Sequence, residues 1–124
     1  MKVLLDTSFM VAAMENKIDP MMELRKFGVP ELFIPDLVVD ELKKLTEGKG
    51  KDAGNANVAL TFLGRKLVNV IRVGEGNTDK KLLEVAEKRN MSVCTIDRKL
   101  KDALLGRGIE VITIRQGRYL VRAG

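Results

Sequence analysis

Four carboxylates stand where an open α/β sheet presents its chemistry. Asp6 ends the apolar run Val3-Leu4-Leu5, and Asp97 ends Val93-Cys94-Thr95-Ile96. An acid just past a buried strand lies at the rim of the crevice where such sheets bind ligands, beyond the carboxyl ends of the strands. Asp79 opens a helix on the same side, and Glu41 lies one turn into the helix that follows the second strand. Each position also has an ordinary use: Glu41 as a solvated helix acid, Asp79 as a first-turn acid favoured by the helix dipole. Crowded together, however, like charges repel and raise one another's pKa, so the set makes sense mainly with a cation present. Oxygen-only ligands suit Mg²⁺ or Mn²⁺ better than zinc or copper. Such an ion with open water positions orients a phosphodiester and activates water, and two ions about 4 Å apart stabilise the attacking and leaving oxygens.

The rest of the composition narrows the chemistry further. The chain has no His, which removes His general bases, Ser-His and Cys-His nucleophile pairs and the common zinc sites. A formal charge of +5 and a pI near 9.5 favour a polyanionic partner, although Lys and Glu mixtures such as Lys80, Lys81, Glu84, Glu87, Lys88 and Arg89 also simply solvate a helix face. Lys43, Lys44, Arg98, Lys99, Lys101 and Arg107 would flank the acids and hold a phosphate backbone, giving an acidic hole with a basic rim. The single Cys94 falls inside an expected buried strand and reads as packing. No apolar run is long enough for a membrane span and the first strand starts at Lys2, so the expectation is a cytoplasmic protein with no membrane segment.

The elements that must position these residues alternate. The expected strands cover residues 2–5, 32–34, 68–73, 92–96 and 111–114. A short helix follows the first strand, capped by Thr7 or Ser8, with Phe9, Ala12 and Ala13 at helical spacing until residues 16–20 interrupt it. A second short helix is expected over residues 21–27. Pro35 and Asp36 start a helix whose Val38, Leu42 and Leu45 face the core, with Glu41 at the border of that stripe. Residues 46–55, rich in Gly and Lys, read as a flexible loop and lack the order of a nucleotide P-loop. Ala56, Ala59, Leu60, Leu63 and Leu67 form an amphipathic helix, and Thr78 or Asn77 caps another carrying Leu82, Leu83 and Ala86. A last helix carries Leu100, Ala103 and Leu104, and the tail holds Arg115, Arg118, Tyr119 and Arg122. The alternation predicts one α/β domain over residues 1–124: three α/β/α layers around a central parallel sheet of about five strands.

Val3-Leu4-Leu5-Asp6-Thr7-Ser8, Val38-Val39-Asp40-Glu41-Leu42, Asp79 before Leu82-Leu83, and Val93 to Leu100 together resemble the PIN domain family of metal-dependent ribonucleases. The likeness spans nearly the whole chain. It implies a pocket binding Mg²⁺ or Mn²⁺ that cleaves single-stranded RNA, with Asp6, Glu41, Asp79 and Asp97 corresponding to the family's four acids. Thr7, Ser8 and Thr95 resemble its supporting hydroxyl residues, and Asp102 is an extra acid near the site. The ending from Ile109 to Tyr119 looks most like the branch linked to ribosomal RNA processing, with a ribosome-assembly partner, while toxins paired with an antitoxin are similar too. Homodimers are common in the family.

The competing readings are weaker. A response-regulator receiver wants paired acids at the end of the first strand and a phosphoacceptor Asp after the third, where this chain has Leu4-Leu5 and Arg72-Val73-Gly74. A haloacid-dehalogenase-like phosphatase wants Asp-x-Asp, where this chain has Asp6-Thr7-Ser8. A non-catalytic RNA-binding or assembly module keeping the fold is the remaining alternative, but a surface that only binds RNA gains nothing from concentrated negative charge.

Overall fold

The computed structural model describes residues 1–65 and 68–124. Its sheet has six strands: β1 (Lys2–Leu5), β2 (Glu31–Pro35), β3 (Val68–Ile71), β4 (Ser92–Cys94), β5 (Val111–Arg115) and β6 (Tyr119–Arg122). Their order is β3-β2-β1-β4-β5-β6. The first five are parallel, and β6 pairs antiparallel to β5. The five expected parallel strands are therefore joined by a sixth, formed by the tail. Its signal is short and broken by charge, Tyr-Leu-Val-Arg after a turn with Gln116 and Gly117 at positive φ.

From β1 the chain builds outward through β2 and β3, then returns to add β4 and β5 on the other side. The sheet thus reverses direction between β1 and β4, and the crevice opens at the carboxyl ends of these two strands. The helices are α1 (Thr7–Glu15), α2 (Pro20–Leu24), α3 (Asp36–Thr46), α4 (Lys51–Arg65), α5 (Thr78–Arg89) and α6 (Arg98–Gly106). Strand side chains alternate between faces, and the core divides accordingly. Val3, Leu5, Leu32, Ile34 and Cys94 pack on one face with Phe9, Met10, Val38, Leu42, Ala56 and Ala59 from α1, α3 and α4. Leu4, Phe33, Ile71, Val93 and Val111 pack on the other with Leu82, Ala86, Leu100 and Leu104 from α5 and α6. Cys94 is buried as expected of packing, and burial pushes its thiol pKa up.

Several boundaries differ from the sequence-based expectation for identifiable reasons. α1 is capped by Asp6 rather than by Thr7 or Ser8, because the Asp6 carboxylate accepts the Thr7 amide at 2.7 Å. α2 begins earlier, at Pro20, where the Asp19 side chain accepts the amides of Met21 and Met22. The Gly- and Lys-rich loop is short: α4 already starts at Lys51, and Ala53 is buried against the core, which overrides the low helix propensity of Gly54. Leu67, expected on the apolar stripe of this helix, lies outside the described residues. In α6, Leu100 and Leu104 are buried but Ala103 is exposed. β4 ends at Cys94, short of the expected Ile96, although the Thr95 amide still reaches the Ile112 carbonyl at 3.1 Å. No helix among the described residues is long and apolar enough to cross a membrane.

Leu42 is fully buried one residue from Glu41. Leu42→Ala is expected to lower unfolding free energy by about 2–5 kcal/mol, the cost of lost burial plus a cavity. Denaturant titration should show a lower midpoint at an unchanged slope; an unchanged midpoint would contradict this core placement.

Candidate active site

Beyond the carboxyl ends of β1 and β4 lies an open cleft of about 720 Å³. Its lining includes Asp6, Glu41, Asp79 and Asp97, drawn from four separate stretches of the chain. Each is placed by local structure. Asp6 and Asp97 cap α1 and α6, the latter accepting the Leu100 amide at 2.9 Å. Asp79 sits in the first turn of α5, which is capped by Asn77 rather than Thr78. Glu41 projects from α3, whose start is tied to the chain after β3 because Asp36 Oδ1 accepts both the Leu37 and the Val73 amide.

Neutral groups orient these acids. Asp6 is 5% exposed at the floor, where Oδ2 accepts the Thr95 hydroxyl at 2.7 Å and the Ser8 hydroxyl at 2.8 Å. The same two hydroxyls accept backbone amides from the turn beyond β4. Thr95 Oγ1 takes the Asp97 amide at 3.0 Å, and Ser8 Oγ takes the Ile96 amide at 3.3 Å. Thr95 thus keeps its amide on the Ile112 carbonyl at 3.1 Å while its hydroxyl bridges the Asp6 carboxylate and the Asp97 amide, and Ile96 turns outward to 44% exposure on the cleft wall. Glu41 accepts the Thr7 hydroxyl on one oxygen and the Thr78 hydroxyl, at 3.0 Å, on the other.

Among the described residues no lysine or arginine forms an ion pair with this group. The ion pairs among the described residues are Lys26–Glu23, Arg107–Glu87 and Arg122–Glu110, all elsewhere. Burial raises the Asp6 pKa, against the lowering effect of its three donors, with a smaller push from Asp79. The Asp79 pKa is raised by desolvation first and then by the charges of Asp97 and Glu41, while Lys99 acts in the opposite direction. The acids thus feel one another across the cleft. Their all-oxygen chemistry fits a hard divalent cation, and Asp6 retains acceptor capacity beyond its three hydrogen bonds. Among the described residues, however, no three of them converge into a ready-made chelating set.

The other expected residues fall in different places. Lys44 lines the cleft, whereas Lys43 faces a neighbouring hollow with Asp40, Glu47 and Thr78. Arg98 and Lys99 are exposed at the start of α6, and Lys101 is half-buried; none lines the cleft. Arg107 pairs with Glu87 at 3.0 Å instead of flanking the acids. Asp102 is exposed and outside the cleft. Two further acids do line it, Glu15 and Asp52. Glu15 was legible as the third step of an i, i+4 row, Thr7-Val11-Glu15, whereas Asp52 lay in the expected loop and carried no signal. Thr78 is the hydroxyl partner that cap reasoning noticed without assigning it to Glu41.

The fold and cleft define a class: a small, mostly parallel α/β domain with a cluster of carboxylates, none in an ion pair among the described residues, at the point where its sheet reverses direction. Residues 3–117 match the family model described as a PIN like domain, and the chain belongs to that family. It is 35% identical over 107 residues to Ribonuclease VapC9 of Archaeoglobus fulgidus, covering 86% of this chain and 77% of that one. It is 29% identical to Ribonuclease VapC4 of Methanocaldococcus jannaschii over 95% of this chain and 93% of that one. Among solved structures, that of the PIN domain endonuclease Utp24 superposes with a TM-score of 0.80 at 22% identity, covering 98% of this chain and 92% of that one.

The raised Asp6 pKa has a stability consequence. A carboxyl whose folded pKa lies above its unfolded value binds protons more readily when folded, so it stabilises at low pH and loses that contribution as pH rises through the window between the two values. Asp6→Asn removes the buried charge while keeping a group of the same shape. Its Tm is expected to exceed that of the wild type at pH 7, with the difference shrinking as pH falls toward 4. A variant less stable than wild type at pH 7 would show that the three hydrogen bonds outweigh the burial of charge.

Proposed function

We propose that this chain is a Mg²⁺- or Mn²⁺-dependent endoribonuclease that hydrolyses phosphodiester bonds in single-stranded RNA. The observation that carries the reading is the set of four carboxylates at one cleft, three of which, Asp6, Glu41 and Asp97, are held by hydroxyls and amides, with no ion pair to any of the four among the described residues. The names of the two archaeal relatives and membership of the family support it. In this reading Asp6, Glu41, Asp79 and Asp97 are the catalytic residues and hold the ion. The bound ion would supply Lewis-acid stabilisation of the phosphoryl oxygens and a water of lowered pKa.

The chain's own residues do the rest. Thr7 and Thr78 fix the Glu41 carboxylate, Ser8 and Thr95 fix Asp6, and Thr95 also sets the start of the turn that carries Asp97. Lys44 on the cleft wall, with Lys43, Arg98, Lys99 and Lys101 around it, attracts the phosphate backbone. Asp102, exposed and outside the cleft lining, is given no role in this reading. The working unit is the single domain of residues 1–124. Its setting is either RNA maturation, with a ribosome-assembly partner, or a toxin held by an antitoxin. A non-catalytic RNA-binding module is the second reading, in keeping with the chain's net charge of +5.

Asp97→Asn keeps an acceptor for the Leu100 amide, so folding should survive with near wild-type Tm and circular dichroism. Cleavage of single-stranded RNA with Mg²⁺ or Mn²⁺ should fall by about 100-fold or more, the scale on which one lost electrostatic partner registers. Calorimetric titration of Mn²⁺ into metal-free protein separates the two readings. Heat of binding that is lost in Asp6→Asn supports the nuclease, and wild type that neither binds metal nor cleaves RNA leaves the binding module.

A further inference from the structure

Six carboxylates and one lysine line the cleft, yet the whole chain carries +5. The positive excess must lie outside it, and part of that excess is concentrated beside it. β5 runs parallel to β4, so Arg115 at its carboxyl end stands on the rim where Asp97 follows β4. Neighbouring strands lie about 4.8 Å apart, which sets β5 one spacing and β6 two spacings from β4. The hairpin between them presents Arg118 and Tyr119, which are exposed like Arg115. Among the described residues neither arginine has a carboxylate in ion-pairing range.

The hairpin is joined to the cleft through α1. Gly117 has φ +61, and a Cβ there would stand 2.8 Å from Asn16 Oδ1, the residue after the cleft-lining Glu15. Along the outer edge of β6 the strip continues. Lys26 Nζ lies 5.4 Å from the Phe27 ring and 5.5 Å from the Tyr119 ring, and the Arg122 guanidinium lies 4.7 Å from the Phe27 ring. Such contacts hold long flexible cations in place. Glu23 pairs with Lys26 at 3.1 Å and Glu110 with Arg122 at 2.8 Å, leaving Arg115 and Arg118 as the strip's uncompensated charges.

We propose that the β5–β6 hairpin, with the Lys26–Phe27 turn beside it, is a docking surface for the phosphate backbone of single-stranded RNA, separate from the cleft and independent of metal. The proposal rests on the nuclease reading only for which strand enters the cleft. Guanidinium forks match phosphate oxygens, and the aromatic rings here are already covered by cations, so the surface offers charge rather than an apolar seat for a protein. Its role is to hold the strand as it leaves the cleft.

The test measures fluorescence anisotropy of labelled oligo(U) in EDTA, where no cleavage occurs, with Arg115→Ala/Arg118→Ala and Arg115→Lys/Arg118→Lys. Single strands change log affinity by about 0.7 per log unit of salt for each neutralised phosphate, so the alanine pair should flatten the slope for an oligo(U) of about 20 nucleotides by about 1.4. Its affinity at low salt should fall by about tenfold or more, and the lysine pair should keep most of both. Cleavage of an oligonucleotide of about 4 nucleotides, near the smallest single-strand site sizes, should stay at the wild-type rate with Mn²⁺. Unchanged binding of the long oligonucleotide by the alanine pair overturns the docking surface, whatever happens to cleavage, and would point to a protein as the strip's partner. Equal loss for long and short oligonucleotides also overturns it. Wild type that binds the long oligonucleotide through these arginines but cleaves nothing with either metal overturns the nuclease reading and leaves this surface standing.

Discussion

Mutual repulsion among four carboxylates at one sheet edge is the constraint that the rest of this domain has to satisfy. A lysine or arginine beside them would relieve the repulsion, but it would also neutralise the charge and occupy the oxygens. Hydroxyls and amides do something different: they fix an oxygen's direction and leave its charge in place. Thr7 and Thr78 do this for Glu41, Ser8 and Thr95 for Asp6, and the Leu100 amide for Asp97. Each such bond to a charged group contributes only about 1.5–3 kcal/mol net, so the arrangement depends on an apolar core on each face of the sheet to carry the stability.

The topology supplies a second, subtler compensation. α1, α5 and α6 all begin at the cleft, with Asp6 and Asp97 as caps and Asp79 in a first turn. Helix N-termini carry partial positive charge, worth about 0.3–1 kcal/mol to a nearby acid. The ordinary explanation for an acid at each of these positions and the functional one are therefore the same interaction. A residue placed there for capping is also aimed at the crevice, and three helix starts converging on one rim lower the cost of assembling negative charge.

This coincidence explains what could be read in the sequence. Strand-ending acids and helix starts are local patterns, so Asp6, Asp79 and Asp97 were visible from their own neighbours, and the parallel order followed from alternation. Glu41 was visible as the border of a stripe. What could not be read depended on pairs distant in the chain. Nothing near Thr78 says that its hydroxyl will meet a glutamate 37 residues earlier, and nothing near Ser8 says that it will take an amide 88 residues later. The start of α4 at Lys51 was hidden because tertiary burial of Ala53 outweighed the glycines around it, and β6 was hidden because pairing to β5 supplies what its short pattern lacks. Arg107 shows the opposite failure: its position in the chain suggested the rim, but Glu87 lay closer in space.

Burial divides the acids into a floor and a mouth. Asp6 is nearly inaccessible and has the most donors; Asp79 and Asp97 are exposed and have few. The floor position is the one at which ionisation costs most, and its three hydrogen bonds offset only part of the desolvation, since its pKa remains raised. Ionised Asp6 is thus an energetic liability that packing alone would remove by placing a neutral residue there. Its retention is accounted for if the carboxylate serves as a fixed reference: β1, α1 and the turn after β4 all register on it through Thr7, Ser8 and Thr95. The mouth acids can then stay solvated, because the geometry of the cleft is set beneath them.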